Sequence, residues 1–305
     1  MTEDRGEADV ISAWRTVPGD HARGQFNQRE IEVVAREVLP NLPYDSAEIG
    51  VITPYNELVS ALSNRLGGNI DVATVHKFQG REKDAIVMST VDDTIKIFVD
   101  DPNLLNVAVS RAKRKFCLVV SGNEQTESCH IPDLIAYIAY NNCTITQSRI
   151  CSVFDLLYEQ YAKARQAFLK KHLRISRFDS ENLTFGLLEK ILAEDAHFCH
   201  LGIICHQPLW QLIRDWSLLD DDERRYVSNR ATHLDFLIYN RVSKQPVLAI
   251  ETDGYKFHKQ GTRQAERDEK KDRILAQYGL PLLRLSTIGT DEKAKIRARL
   301  HEILI

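Results

Sequence analysis

Residues 233–287 read HLDFLIYNRVSKQPVLAIETDGYKFHKQGTRQAERDEKKDRILAQYGLPLLRLST. Three apolar runs in this stretch have strand length and turn-like flanks: Phe236-Leu237-Ile238-Tyr239, Val247-Leu248-Ala249-Ile250 and Leu282-Leu283-Arg284-Leu285. A charged segment of helical length, roughly Ala265 to Gln277, separates the last two. Asp235 stands at the edge of the first predicted strand. Glu251 and Asp253 stand at the end of the second, two apart and therefore on one face. A hairpin joining these strands brings Asp235 beside Glu251. Two hard carboxylates on neighbouring strand ends can hold Mg2+ or Mn2+, which take oxygen ligands and keep waters for chemistry. A single strand-end acid is most often only solvated. What points to a site is the conjunction with Gly254, His258, Arg267-Asp268 and Lys271-Asp272.

Those residues resemble the nucleases related to very-short-patch-repair endonucleases, a branch of the PD-(D/E)XK superfamily. The matching positions are Asp235-Phe236, Ile250-Glu251-Thr252-Asp253-Gly254, His258, Arg267-Asp268 and Leu283-Arg284. The resemblance implies a restriction-endonuclease-like α/β domain with a mixed sheet. It implies Asp235 and Glu251 as metal ligands, Asp253 as a further site acid and His258 as a proton carrier. Arg267, Lys271 and Arg284 would offset phosphate charge. One departure matters: the third acidic-motif position, usually Lys, is Asp253 here. The lysine is then expected from Lys256 or Lys271, or its role falls to His258.

A chain of 305 residues is long enough for about two domains. Its 43% hydrophobic and 27% charged content fit a globular protein in water. A formal net charge of −3 does not advertise nucleic-acid binding, so any basic surface has to be local. The six cysteines include no CxxC pair, which argues against a disulfide scaffold and fits a reducing cytoplasm. Residues 1–10 are acidic and polar, unlike a signal peptide, and no apolar run approaches the roughly 20 residues of a membrane span.

Residues 1–24, polar and containing Pro18-Gly19, read as a lead-in. Beyond them short strands alternate with helices, which predicts a parallel sheet with helices on its faces. Helices are expected from Asn27, capped with Glu30 three residues on, and over about Asn56 to Leu66 and Asn103 to Lys113. Strands are expected at Ile49–Ile52, Ile70–Val75, Ala85–Val91 and Phe116–Val120.

Three strings in this half resemble motifs IV, V and VI of superfamily 1 helicases, closest to the RNA-surveillance branch. They are Ile52-Thr53-Pro54-Tyr55-Asn56, the run from Ala73 to Asp84 (ATVHKFQGREKD), and the run from Leu105 to Lys113 (LNVAVSRAK). The resemblance covers about Gln25 to Asn123 and implies a RecA-like lobe. It implies that Arg111 reaches a γ-phosphate as an arginine finger, and that Glu82, after the Gly80 turn, meets nucleotide ribose. Thr53, Tyr55, Thr74 and His76 are expected to touch the sugar-phosphate backbone. Glu57-Leu58 stand where the family often carries Gln. No GxxxxGK followed by Ser or Thr occurs in the sequence. ATP is therefore expected to be used only if a first lobe is supplied by other sequence. Leu218-Leu219-Asp220-Asp221-Asp222-Glu223 imitates an acidic strand-end box but reads as a solvated turn.

From Glu124 to Arg149 the text turns polar, and residues 126–177 are read as a linker with a long helix over Val153–Leu173. Its Lys163, Arg165, Lys170, Lys171 and Arg174 make one face basic. Such a face either meets phosphates or is merely solvated. A helix over Leu183–Glu194 carries Glu189, a candidate site acid in the first helix of a nuclease domain spanning 178–305. His197-Phe198-Cys199-His200 and the following apolar run read as a buried strand; the Cys-His spacing fits no usual zinc site. A charged loop is expected to end near Thr232.

Two functions follow as expectations. One is a metal-dependent nuclease, acting on DNA by resemblance, attached to a helicase lobe and serving repair or anti-phage defence. The other is an inactive nucleic-acid-binding or assembly module of a helicase complex.

Overall fold

The computed structural model describes residues 10–125, 129–254 and 263–304. The chain falls into two units, one ending at Cys151 and the other beginning at Ser152.

The first unit is built on six parallel strands: β1 (Ile11–Arg15), β4 (Ile49–Thr53), β5 (Asp71–Thr74), β6 (Lys83–Ser89), β7 (Ala112–Val120) and β8 (Ile145–Gln147). Their order is β5-β4-β6-β7-β1-β8, and a small hairpin of β2 (Ala22–Arg23) and β3 (Phe26–Asn27) lies outside that sheet. Helices cover both faces: α1 (Gln28–Val33), α2 (Asn56–Leu66), α3 (Pro102–Ser110) and α4 (His130–Tyr140). Central parallel strands are therefore buried on both sides. Ile52, Ile86, Met88 and Leu118 pack with Leu104, Ala108, Ile131 and Ile138 on one face. Val51, Val87 and Val119 pack with Ile31, Val34, Leu58 and Leu62 on the other. The chain returning from β5 to β6 is drawn tight under the sheet. A Cβ built on Gly50 would sit 2.5 Å from Phe78 Cζ, so glycine is required there.

Two expectations are corrected in this unit. The supposed lead-in contains β1, which pairs with β7 (Ile11 opposite Phe116) and with β8 (Ala13 opposite Ile145). The supposed start of the linker contains α4 and β8. Ile131, Ile135 and Ile138 form the buried stripe of α4, which lies between two polar runs, 124–129 and 141–149.

Asn27 caps α1 by accepting the Glu30 amide at 3.2 Å. The Glu30 side chain does not return the bond. It runs, fully buried, to the end of β6 and accepts from the Ser89 hydroxyl and the Val91 amide, the latter at 2.9 Å. Asn27 Nδ2 donates to the Val91 carbonyl at 2.8 Å. Val91 is thereby held at φ 71°, a left-handed conformation that a β-branched residue rarely takes. Burial pushes the Glu30 carboxyl up to about 8, with the Ser89, Val91 and Thr90 donors opposing. The folded state thus keeps a proton between pH 4.5 and 8 that the unfolded chain releases. Stability accordingly falls as pH rises through that window and levels off above it. Glu30→Gln is expected to abolish this slope. Hydrogen exchange of the β4 and β6 amides between pH 5 and 8 should show the wild type losing up to about 1.4 kcal/mol per pH unit relative to the variant; parallel profiles would refute it.

The second unit has a four-stranded mixed sheet in the order β12-β11-β10-β9. β10 (His233–Asn240) runs antiparallel to both β9 (Leu201–Pro208) and β11 (Pro246–Asp253). β12 (Leu282–Ser286) lies parallel to β11 and is reached through α9 (Arg263–Gln277). α6 (Asp179–Glu194) and α10 (Glu292–Leu304) cover one face, packing Leu188, Ile191, Ile296 and Leu300 on Phe236, Ile238, Leu248 and Ile250. α7 (Leu209–Leu212), α8 (Asp221–Ser228) and α9 cover the other, packing Leu209, Val227, Ile274 and Leu275 on Leu237 and Ala249.

The long helix expected over Val153–Leu173 is broken. Tyr158 is extended, and only α5 (Ala162–Leu169) is α-helical, after two 3-10 turns. Arg165 turns back onto the carbonyls of Leu156 and Leu157, so the basic face is partly spent on its own chain. Asp220-Asp221-Asp222-Glu223 opens α8 rather than forming a solvated turn. Asp220 caps the helix, and Glu223, 2% exposed, meets Arg273 at 2.7 Å.

Candidate active site

Leu237 and Ala249 point into the core beneath α9, and the same strand faces continue to Asp235 and Glu251. The apolar alternation therefore delivers two carboxylates to the polar end of the sheet, on adjacent strands. They are brought together closely. The Asp235 amide donates to Glu251 Oε1 at 3.2 Å, and Asp235 Oδ2 accepts from the Thr252 amide at 2.8 Å. The hydrogen-bond register extends this pair into a polar row across all four strands. His206 on β9 stands opposite Asp235, and Arg284 on β12 stands opposite Glu251.

Lys271, projecting from α9, donates to Glu251 Oε2 at 2.7 Å and to the His233 carbonyl at 3.0 Å. Both side chains are nearly closed off, at 10% and 7% exposure. Of the two expected lysines, Lys271 is at the site. Lys256 and His258 lie outside the described residues. Burial raises both carboxyls. Asp235 is moved above the usual carboxylate range, with the charge of Glu181 adding to the effect. Glu251 is moved up to about 7, where Lys271 opposes the shift and Asp235 reinforces it.

These groups line a cleft of about 310 Å3 together with Asp253, Arg267, Asp268, Tyr226, His233 and Glu181. Arg284 is not presented to a phosphate, contrary to expectation. It bonds Asp253 at 2.9 Å and Asp272 at 2.7 Å, with Asp268 at 3.6 Å, and so clamps the second strand end to α9. Asp253 is consequently a partner of Arg284, while Asp235 and Glu251 form the close pair.

Glu189 is also corrected. It is 43% exposed and pairs with His172 at 2.8 Å, away from the cleft. The acid that α6 brings to the cleft is Glu181, whose Oε2 is 2.9 Å from His206 Nε2. Glu189 lies two turns further along, about 12 Å at 1.5 Å per residue, beside the apolar middle of the strands. Thr184, one turn after Glu181, touches Thr252 at 3.1 Å, and that contact fixes which end of α6 faces the site. The sequence held one signal for this, a polar first turn on α6 followed by the largely apolar stretch Leu183 to Leu188. The packing of His206 on His233, edge to face at 5.3 Å, had none.

Among the described residues no group of three or more His, Cys, Asp or Glu side chains gathers to hold a metal ion. The donors on offer are the two carboxylates, and Asp235 Oδ1 takes no hydrogen bond from any described residue. Mg2+ is commonly bound by one or two carboxylates with waters and substrate phosphate completing the shell. The pair fits that requirement.

In the first unit the motif residues divide between the two ends of the parallel sheet. Thr53 and Thr74 close β4 and β5, face each other in register, and are buried. Among the described residues Thr53 Oγ1 has no hydrogen-bond partner. His76 is exposed just beyond β5. Tyr55 also lies at this end, but its hydroxyl is committed to Asp92 at 3.3 Å, and burial and that neighbouring charge push it up to about 12. At the opposite end, the Lys83 amide bonds the Arg111 carbonyl at 3.0 Å, bringing the start of β6 against the start of β7. Gly80, at φ 80°, and exposed Glu82 precede β6 there. Arg111 reaches Ser110, and its Nε is buried with no partner among the described residues.

Residues 12–124 match the family described as an AAA domain. The first unit is helicase-related. The chain is 33% identical over 144 residues to a DNA polymerase alpha-associated DNA helicase A of Saccharomyces cerevisiae, covering 40% of this chain and 20% of that protein. It is 40% identical over 89 residues to the Regulator of nonsense transcripts 1 homolog of Drosophila melanogaster, covering 25% of this chain and 7% of that protein. The chain thus spans no more than a fifth of these relatives. A crystal structure of the C-terminal domain of a possible DNA helicase from a Lactobacillus aligns with TM-score 0.31 and 15% identity, over 48% of this chain and 89% of that one. The helicase matches and the parallel α/β sheet support a RecA-like lobe of superfamily 1. Residues 178–303 match a family described as a protein of unknown function.

Removing Lys271 leaves the buried Glu251 carboxylate without its cation. Lys271→Met is expected to destabilise the second unit by about 3 kcal/mol, and Lys271→Met with Glu251→Gln to recover part of that loss. Denaturant unfolding of the three chains decides it; equal losses in single and double variants would show that the pair is not the cause.

Proposed function

We propose that the second unit is a restriction-endonuclease-like, metal-dependent nuclease of the PD-(D/E)XK kind, attached to a helicase lobe and acting on DNA. The observation that carries this reading is the buried pair of Asp235 and Glu251 on adjacent strand ends, with Lys271 on Glu251. Asp235 and Glu251 would hold Mg2+ or Mn2+, which when bound supplies an activated water and offsets phosphate charge. Lys271 keeps Glu251 ionised and aligned, and its ammonium adds positive charge at the cleft floor. Arg267, at the rim, is placed to meet a phosphate. Arg284 keeps Asp253, Asp268 and Asp272 from drifting toward the metal ligands. His258 remains the proposed proton carrier. Arg111, Glu82 and Gly80 would serve ATP only with a lobe that supplies the phosphate cradle.

The test is supercoiled plasmid incubated with the full chain and Mg2+ or Mn2+. Cleavage is expected, and EDTA, Asp235→Asn or Glu251→Gln should reduce it at least 100-fold, while Glu189→Gln leaves it within twofold. An intact plasmid that is nonetheless tightly bound would instead support the binding-module reading. Undiminished cutting by both site variants would overturn the assignment. ATP turnover by this chain alone is expected at the level of a protein-free blank.

A further inference from the structure

The loop between β6 and α3 carries two exposed large apolar side chains. Ile97 is 94% exposed and Phe98 49%. Their exposure is not that of a slack loop. Lys96 is tied to buried Asp92 at 2.6 Å, Val99 is fully buried in the core, and the Asp100 carboxylate accepts the first amides of α4, His130 at 3.0 Å and Ile131 at 2.8 Å. The tip between these anchors is presented by the fold. Phe98 also has a backing. Its ring stacks on Tyr55 with centroids 5.6 Å apart and planes at 30°. Tyr55 is in turn pinned through its hydroxyl to Asp92, the same carboxylate that holds Lys96.

We propose that Phe98, mounted on Tyr55 and flanked by Ile97, is a base-stacking platform for a single strand of nucleic acid at the C-terminal end of the six-stranded sheet. The surroundings favour such an occupant. Thr53 and Thr74 end the neighbouring strands, Thr53 Oγ1 being a buried polar atom without a partner among the described residues, and exposed His76 and Lys77 follow β5. Hydroxyl, imidazole and ammonium groups suit a sugar-phosphate backbone, while a backed aromatic face suits an unpaired base. The geometry also reassigns Tyr55. Its hydroxyl is occupied, so it acts as the positioning residue that orients Phe98 and not as a phosphate donor. A duplex keeps its bases stacked on one another and offers Phe98 nothing to accept.

The experiment uses the full chain in EDTA, so that cleavage plays no part, with a fluorescein-labelled 12-nucleotide single strand and the matching duplex read by anisotropy. Phe98→Ala is expected to weaken single-strand binding by about 10-fold, in line with about 1–3 kcal/mol per stacked base, and duplex binding by less than twofold. Phe98→Trp should bind as the wild type and lose tryptophan emission when the single strand is added. Tyr55→Phe, which frees the ring from Asp92, should fall between wild type and Phe98→Ala. Unchanged single-strand affinity in Phe98→Ala, equal losses on both probes, or unquenched emission in Phe98→Trp would each overturn the proposal. A failure of the nuclease reading would leave all three results as expected.

Discussion

The contact between Lys271 and Glu251 is the constraint around which the second unit is arranged. A carboxylate at 7% exposure is costly to keep charged, and a lysine from another element relieves that cost only if the element is held in place. α9 is held twice: by Ile274 and Leu275 in the core, and by Arg284 reaching Asp268 and Asp272 from β12. The parallel placement of β12 beside β11 makes this possible, because the crossover it demands is α9 itself. Fold and site are thus one solution. The strand order requires a helix above the second strand end, and the helix supplies the cation that this end needs.

This arrangement accounts for the acid at position 253. With the cation delivered by Lys271, the strand position two residues after Glu251 is released from carrying it. Asp253 takes up Arg284 instead, and the opposite charges anchor the end of β11. The polar row from His206 through Asp235 and Glu251 to Arg284 alternates groups that can carry positive and negative charge only at its ends. Its middle is two acids side by side, and burial raises the proton affinity of both.

Much of this was legible in the residues themselves. β10, β11 and β12 announce themselves by apolar runs, and the two-residue spacing of Glu251 and Asp253 fixes their shared face. What was not legible came from tertiary choices. β1 is five residues of ordinary polarity that become a strand because β7 and β8 leave a gap between them. Glu189 stands on the helix expected over Leu183–Glu194, but that helix begins at Asp179, and the acid at the cleft is Glu181 on its first turn, where Thr184 meets Thr252. Arg284 reads as a phosphate ligand until three aspartates are found around it. In the first unit, Tyr55 keeps its place at the strand end but not its expected chemistry, because Asp92 lies thirty-seven residues away in sequence and against its hydroxyl in space.

The position of β1 bears on how the molecule is made. Ser12 touches Cys117 across a separation of 105 residues, and β8 closes the far side of β1 only at Gln147. During synthesis β1 precedes its partner β7 by about a hundred residues, so this pairing waits until β7 has left the ribosome. The four strands β4 to β7 can associate before it arrives, but their sheet keeps an open edge until β1 docks. Such a late closure slows folding and lengthens the time in which that edge is available to other chains. Nascent-chain handling, more than the stability of the finished sheet, is where a fault in residues 11–15 would first be felt.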